Sequence, residues 1–415
     1  MNYSPFVGQS AKSHPNGVMR MTCITILLLL MSTGSLAGKP EPLCVLSPAV
    51  MPESWRPRGE AQKGLSRAEP WSQSEAKDAE YAIKKGLDEI IGLFLKRPSA
   101  VQDIWDESVA ALLEVTYSSA NKPSFDAVAR DSALRNLAML IDPYIKHGAK
   151  TAKCDEFVKL LPLAIYAHKF YPAKDPRTRK MVALTNAGYR DCGSFANAID
   201  FDYKNRFSEK KLSSDKVFDL VLWSLYLIEA ELYPDIELPA ESREFSPALW
   251  RFLETYPLAG ASEFKKGAWN EEFVVIAYLA THIAFIPTGN HRYPIYIEDS
   301  PKLYRFHREN FYPVLQMGEL DLVAEFVDSL RQYGCTAEND LQVRDGTRYL
   351  LNIFHDGKDR WMAYREQDET DEDVNDYDLV HKAWTGMLGV RIRNIEPAEP
   401  GTYGGVVRSW LPHPR

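Results

Sequence analysis

The sequence predicts an all-α fold, and three observations carry that expectation. From Ser72 onward apolar residues return at three- and four-residue steps through almost the whole chain. The periodic segments are 12 to 20 residues long and are separated by short loops carrying Pro, Gly and Asp. Strand signals are few. The best is Arg292-Tyr293-Pro294-Ile295-Tyr296-Ile297, in which Pro294 cannot donate to a ladder and so argues against a central strand.

The chain opens with an apolar run, Thr22 to Ala37, preceded by Lys12 and Arg20 and with no acidic residue before Glu41. A short apolar core behind a positive region is the pattern of a secretion signal. The run ends in Ser35-Leu36-Ala37, which places the mature start at Gly38; Met19 and Met21 are alternative initiators to Met1. A membrane anchor is the other reading, but a spanning helix needs about 20 apolar residues and Gly34 interrupts this one. The expected compartment is therefore extracellular or periplasmic, with residues 1–37 as signal, 38–70 as an irregular Pro-, Ser- and Glu-rich arm or linker, and 71–415 as one helical domain.

The helices are expected in order. Ser74-Glu75-Ala76 opens the first, with Ala82, Leu87, Ile90, Ile91, Leu93, Phe94 and Leu95 along it. Further segments are predicted at 100–117, 124–147, 152–170, 176–190, 214–232, 245–256, 269–286, 302–316, 319–333, 338–355 and 377–391. Three apolar helices run into Pro172, Pro234 and Pro287, an irregular repeat that suits alternating inner and outer helices.

Loss of Lys12 and Arg20 with the leader takes the formal charge from −8 to −10, which argues against nucleic acid or an anionic membrane surface as a partner. Four of the five cysteines remain, Cys44, Cys154, Cys192 and Cys335, and an oxidising compartment allows them three pairings. Cys154 with Cys192 would join neighbouring helices and Cys44 with Cys335 would tie the arm to the body. Free buried thiols are the alternative.

Near the end stand Gly346-Thr347-Arg348-Tyr349-Leu350-Leu351, then Asp356-Gly357 and Trp361, then Tyr377-Asp378-Leu379-Val380-His381-Lys382-Ala383-Trp384-Thr385-Gly386-Met387-Leu388-Gly389. This segment resembles one repeat of the α/α toroids built by squalene cyclases and protein prenyltransferase β-subunits. The resemblance implies helical hairpins in a ring, with loops at one end around a cavity. It makes His381 the counterpart of the zinc-binding histidine of prenyltransferases. The Asp-x-Cys that completes that metal site is absent, as is the Asp-x-Asp-Asp run of the cyclases. No cofactor is therefore expected, zinc being the alternative.

Fold does not choose a reaction, so function is read from side chains. His381 is a candidate acid, base or ligand, against a packing or capping role. His282 lies near a helix end, followed by Thr288-Gly289-Asn290-His291-Arg292-Tyr293, where a second imidazole, a guanidinium and a phenol converge; an ordinary capping loop is the competing account. Glu229 and His168 end comparable helices, so His168, Glu229, His282 and His381 are expected to approach one rim. The eight carboxylates of Glu366 to Asp378 read as a solvated loop. Asp200-x-Asp202 is too short to specify a metal, and Cys192 lacks a sequence-adjacent base. The expected function is an enzyme acting on an extracytoplasmic carbohydrate or isoprenoid-type substrate, a small molecule or polysaccharide, through His381, His282, His291, Arg292, Tyr293 and Glu229. The alternative is a non-catalytic secreted binding or scaffold protein.

Overall fold

The computed structural model describes Cys44 and residues 56–65, 69–118, 123–146, 152–208, 212–365, 374–391 and 399–411. The proposed leader, most of the arm and the acidic stretch 366–373 lie outside the described residues. Among the described residues no strand occurs and most residues are helical.

In chain order the helices are α1 (Gln73–Lys96), α2 (Ser99–Ile104), α3 (Glu107–Ser118), α4 (Pro123–Lys146), α5 (Cys154–Phe170), α6 (Pro176–Cys192), α7 (Phe195–Ala198), α8 (Tyr203–Arg206) and α9 (Ser214–Ala230). They continue as α10 (Ala240–Thr255), α11 (Glu271–Ile283), α12 (Phe285–Thr288), α13 (Pro301–Met317), α14 (Leu320–Gln332), α15 (Leu341–Asp356), α16 (Asp376–Val390) and α17 (Tyr403–Arg408). Local chemistry sets many of the ends. Ser72 and Glu75 form a reciprocal capping box at α1, as do Asn375 and Asp378 at α16. Asp175 caps α6 with Pro176 in its first turn, and Asn270 caps α11.

Two predicted helices are broken, for identifiable reasons. The segment 100–117 divides at Trp105, whose φ of 59° and ψ of −132° leave the helical region. The segment 269–286 pauses at Ala284 and continues as α12, where Pro287 has no N–H to return to the preceding turn. The strand signal at 292–297 is not realised: Ile295 gives one hydrogen bond to the Gln332 carbonyl at 3.0 Å, and Ile297–Asp299 forms a single 3₁₀ turn.

Sequential helices pair as hairpins, α3 with α4, α5 with α6, α9 with α10, and α13, α14 and α15 in succession. A second set of contacts runs between hairpins. α4 and α5 touch, then α5 packs on α9, α9 on α11, α11 on α14, and α14 on α16, which in turn meets α1, α2 and α3. The stretch Glu271–Thr288 is apolar and long enough to cross a membrane by composition, and 61% of it is buried inside the protein.

The 346–389 segment packs by interpenetration. Trp361 is fully buried and its Nε1 donates to the Ala82 carbonyl at 2.9 Å, while a Cβ on Gly386 would stand 2.4 Å from the indole Cε3. A Cβ on Gly346 would come 2.2 Å from Val327 Cγ2. Both glycines are therefore required for close helix approach.

Cys44 is bonded to Cys335 and Cys154 to Cys192, with Cα separations of 4.9 and 4.6 Å. The first bond holds Cys44 beside the end of α14. Other described parts of 38–70 also lie on the body: Gln62 Nε2 donates to the Leu315 carbonyl at 2.7 Å, and Asn352 Nδ2 to the Ala61 carbonyl at 2.8 Å.

Candidate functional site

Helix α14 is buried at every position but Asp321, which is partly exposed, yet it carries Asp321, Glu325, Asp328 and Gln332 at steps of four, three and four residues. That spacing sets them in one stripe on one helix face. Polar side chains on an enclosed helix must find partners, and these find them on α3, α11, the turn after α12, and α16.

At one end Asp321 meets His381, whose Nδ1 stands 3.3 Å from Oδ1. The imidazole lies between Tyr377, stacked at 5.1 Å, and Trp384, edge-on at 5.5 Å. Burial disfavours its charged form, but Asp321, Glu107 and Glu325 outweigh that and push His381 up to about 9. Burial likewise opposes ionisation of Asp321, and the His381 charge with hydrogen bonds from Tyr278 and Thr385 overcomes it, holding the carboxyl below its ordinary range.

One turn on, Glu325 bonds to the Thr281 hydroxyl and lies 3.7 Å from His282 Nδ1. Burial, reinforced by the neighbouring Asp321 charge, raises Glu325 well above the carboxylate range, so it is a neutral acid. His282 Nδ1 donates to the Tyr278 carbonyl at 2.8 Å, which fixes the tautomer and leaves Nε2 as the acceptor. Its ring contacts Phe218 and Phe285, and burial lowers it to about 4.

Deeper still, Asp328 takes both Nε of Arg391 at 2.9 Å and Nη2 at 2.6 Å, and also bonds His291. The other nitrogen of His291 is 3.7 Å from Glu114. Glu114 accepts from the Trp384 indole at 2.8 Å and from Asn290, and burial pushes it up to about 8. Glu107 begins the same helix; burial lifts it to about 7 against the pull of His381. Three residues with positive φ border this group, Trp105 at 59°, Asn290 at 56° and His291 at 70°. Such backbone persists where surrounding contacts hold it in place and concentrates at functional sites.

Of the residues singled out from sequence, His381, His282 and His291 thus come to one stripe of carboxyls. Arg292, Tyr293 and Glu229 form a neighbouring group. Arg292 pairs with Glu229, which Lys169 also approaches at 3.0 Å; although burial opposes it, these two cations lower Glu229 to about 2. The Arg292 guanidinium lies over the rings of Tyr293 and Tyr403, and Tyr293 is itself buried. His168 stacks on Tyr233 at 4.4 Å and reaches Asp235 at 3.0 Å, a packing contact between α5 and the turn that follows α9. The residues that sequence reading missed are Glu107, Glu114, Asp321, Glu325, Asp328 and Arg391. Two signals pointed to them: the period of the α14 carboxyls, and the isolation of Glu114 in Ala110-Ala111-Leu112-Leu113-Glu114-Val115.

Among the described residues the one group of ligand-type side chains gathered closely enough for a single ion is Cys44, Cys335 and Asp340, and its two sulfurs are bonded to each other. His381 directs Nδ1 at a carboxylate, so the set supports proton chemistry.

The arrangement predicts a sloping stability profile. Folded Glu107, Glu114 and His381 keep protons that the unfolded chain releases near 4.5 and 6.5, so unfolding at neutral pH releases protons and stability falls as pH rises. Between pH 6.5 and 9 the loss is expected to be on the order of a few kcal/mol, read by urea denaturation at stepped pH. His282 adds nothing there, being neutral in both states above 6.5. Glu114→Gln, which mimics the protonated acid, should flatten the profile between 6.5 and 8; an unchanged slope would remove Glu114 from this account.

No family model, curated protein or solved structure matches the chain.

Proposed function

We propose that the chain is an exported α/α-toroid protein that acts as an acid/base enzyme on a carbohydrate-type substrate. The succession of contacts from α3 and α4 through α5, α9, α11, α14 and α16 back to α3 supports a ring of inner helices. The two bonded cysteine pairs support passage to an oxidising compartment.

One observation carries the catalytic reading. Asp321 and Glu325, a single turn apart on α14, are held in opposite protonation states, ionised and neutral, beside a charged His381 and a neutral His282. Environments that drive neighbouring titratable groups apart are how one site supplies both an acid and a base near pH 7. Cleavage of a glycosidic bond needs one protonated and one ionised carboxyl, which favours a sugar over an isoprenoid. In this reading Glu325 gives its proton to the leaving oxygen as the glycosidic C–O bond breaks, ionised Asp321 takes a proton from the water whose oxygen forms the new bond to the sugar carbon, and Tyr377 and Trp384 frame His381.

The test is a panel of oligosaccharides and polysaccharides, scored for new reducing ends, followed by Glu325→Gln on whichever is cleaved. Turnover is expected to fall roughly 10²- to 10⁴-fold with the circular dichroism and melting temperature retained. No cleavage of any member, or full activity in the variant, would sink the reading. The scaffold alternative is favoured by the deeper half, where Asp328, Arg391, His291 and Glu114 bond mainly one another and are closed to solvent.

A further inference from the structure

We propose that His355 works as a pH-dependent clasp between α1 and the turn leading out of α15, closed when both ring nitrogens carry protons and opened at Asp359 when one is lost. Near the end of α15 the imidazole lies between two carboxylates. Its Nε2 is 2.8 Å from Asp78 Oδ2 on α1, and its Nδ1 is 2.7 Å from Asp359 Oδ1 in the turn. An ionised carboxylate only accepts, and a neutral imidazole has one N–H to give. Both contacts are therefore hydrogen bonds only in the imidazolium. Loss of either proton turns a ring lone pair toward a carboxylate oxygen at hydrogen-bond distance, and one contact has to open. The device lies outside the α14 stripe, so it stands whatever reaction that stripe performs.

The turn is the side that gives way. Lys358 and Asp359 both have φ of 58°, a left-handed conformation that residues other than glycine adopt at a cost and keep where contacts hold them. Asp78 instead stands on a helix of 24 residues. The other charged groups nearby are committed elsewhere. Along the facing side of α1, Glu75 pairs with Arg348, and Tyr81 packs on Phe354 with Lys85 over its ring. In the turn Arg360 pairs with Glu89, and in the amino-terminal segment Lys63 pairs with Glu60. Lys382 of α16 bonds the Tyr364 carbonyl, and Arg308 of α13 pairs with Asp340 at the far end of α15. Asp356 and Lys358 flank the clasp in sequence. Burial disfavours the charged ring, but the hydrogen bonds to Asp78 and Asp359 and their charges outweigh it, raising His355 above its ordinary 6.5. The clasp is thus fully closed below 6.5 and opens as pH rises through the raised value. Beyond Asp359 the chain is anchored again, since Glu89 takes the Trp361 amide at 2.8 Å and Trp361 Nε1 donates to the Ala82 carbonyl. Opening is therefore confined to the few residues between α15 and the indole that seats against α16, the helix of His381.

NMR of the full-length protein tests the clasp, with imidazole resonances followed from roughly pH 5 to 9. Hydrogen exchange is followed alongside at the Gly357 and Lys358 amides, which donate to the Ile353 and His355 carbonyls at 2.9 and 2.8 Å, and is scored against the unstructured-chain rate at each pH. His355 is expected to titrate with a midpoint above 6.5, moving down toward 6.5 in Asp78→Asn and in Asp359→Asn separately. Across the wild-type midpoint the two amides should lose about two- to fivefold in protection, the size an exposed ion pair supports. In Asp359→Asn that step should vanish, because a side-chain amide can accept from a protonated Nδ1 or donate to a bare one and so holds the turn in both states. His355→Gln should show no step. A midpoint at or below 6.5, protection that stays flat through the wild-type midpoint, or a step that persists in His355→Gln would each overturn the clasp. Should Asp78→Asn fail to fold, the wild-type titration and Asp359→Asn decide the matter.

Discussion

Replacing Cys44 and Cys335 together by serine is expected to cause the largest stability loss of any paired substitution in the chain. The bond spans 291 residues, and closing a loop of that length in the unfolded ensemble is worth about 5 to 6 kcal/mol on the chain-entropy model. Cys154 and Cys192 span 38 residues, for which the same argument gives about 4 kcal/mol. Guanidinium denaturation of the oxidised protein and the two double variants measures the difference, and the order of the two effects is the sharper test. If the 44–335 variant were as stable as wild type, contacts such as Gln62 with the Leu315 carbonyl and Arg348 with the Glu69 carbonyl would by themselves hold the amino-terminal segment.

Asp328→Ala is the second. Asp328 is 1% exposed and serves Arg391, itself fully buried, together with His291. Removing it takes the paired carboxylate from a guanidinium in the interior, and breaking a buried pair from one side costs roughly 3 to 5 kcal/mol. The double variant Asp328→Ala with Arg391→Met should recover much of that loss, since the uncompensated charge has gone. A single-variant loss below about 1 kcal/mol, or no recovery in the double, would show that water reaches Arg391. Chemical denaturation of the three proteins at pH 6.5 settles it.

Helix positions were legible because the core demands period and the ends are written in capping residues: Ser72 with Glu75, Asp175 with Pro176, Asn270 and Asn375 all stand where helices begin. The break at Trp105 was not, its positive-φ backbone having no local signal, whereas the pause at Ala284 follows from Pro287, which stands in the sequence. The three histidines were visible as rare residues near helix ends. Their carboxyl partners were not, since acids at helical spacing ordinarily mark a solvated face. What separated Glu325 and Asp328 from that rule is their burial, settled only by α11, α13, α15 and α16 closing around α14, while Asp321 stays partly exposed. The Arg292 and Glu229 pair, 63 residues apart in sequence, likewise needed the third dimension.

Helix α1 rests on α16, Trp361 hangs from the Ala82 carbonyl, Arg348 reaches Glu75, and Cys44 is joined to Cys335. The first α-helix of the described residues therefore waits for α16. Until residues near 390 are available, α1 lacks its most extensive partner and has only α2, α4 and α15 to pack on, and the hairpins between can form without the whole being closed. Closure of α1 therefore comes late, because its contacts with α16 join segments roughly three hundred residues apart and such distant pairings form slowly.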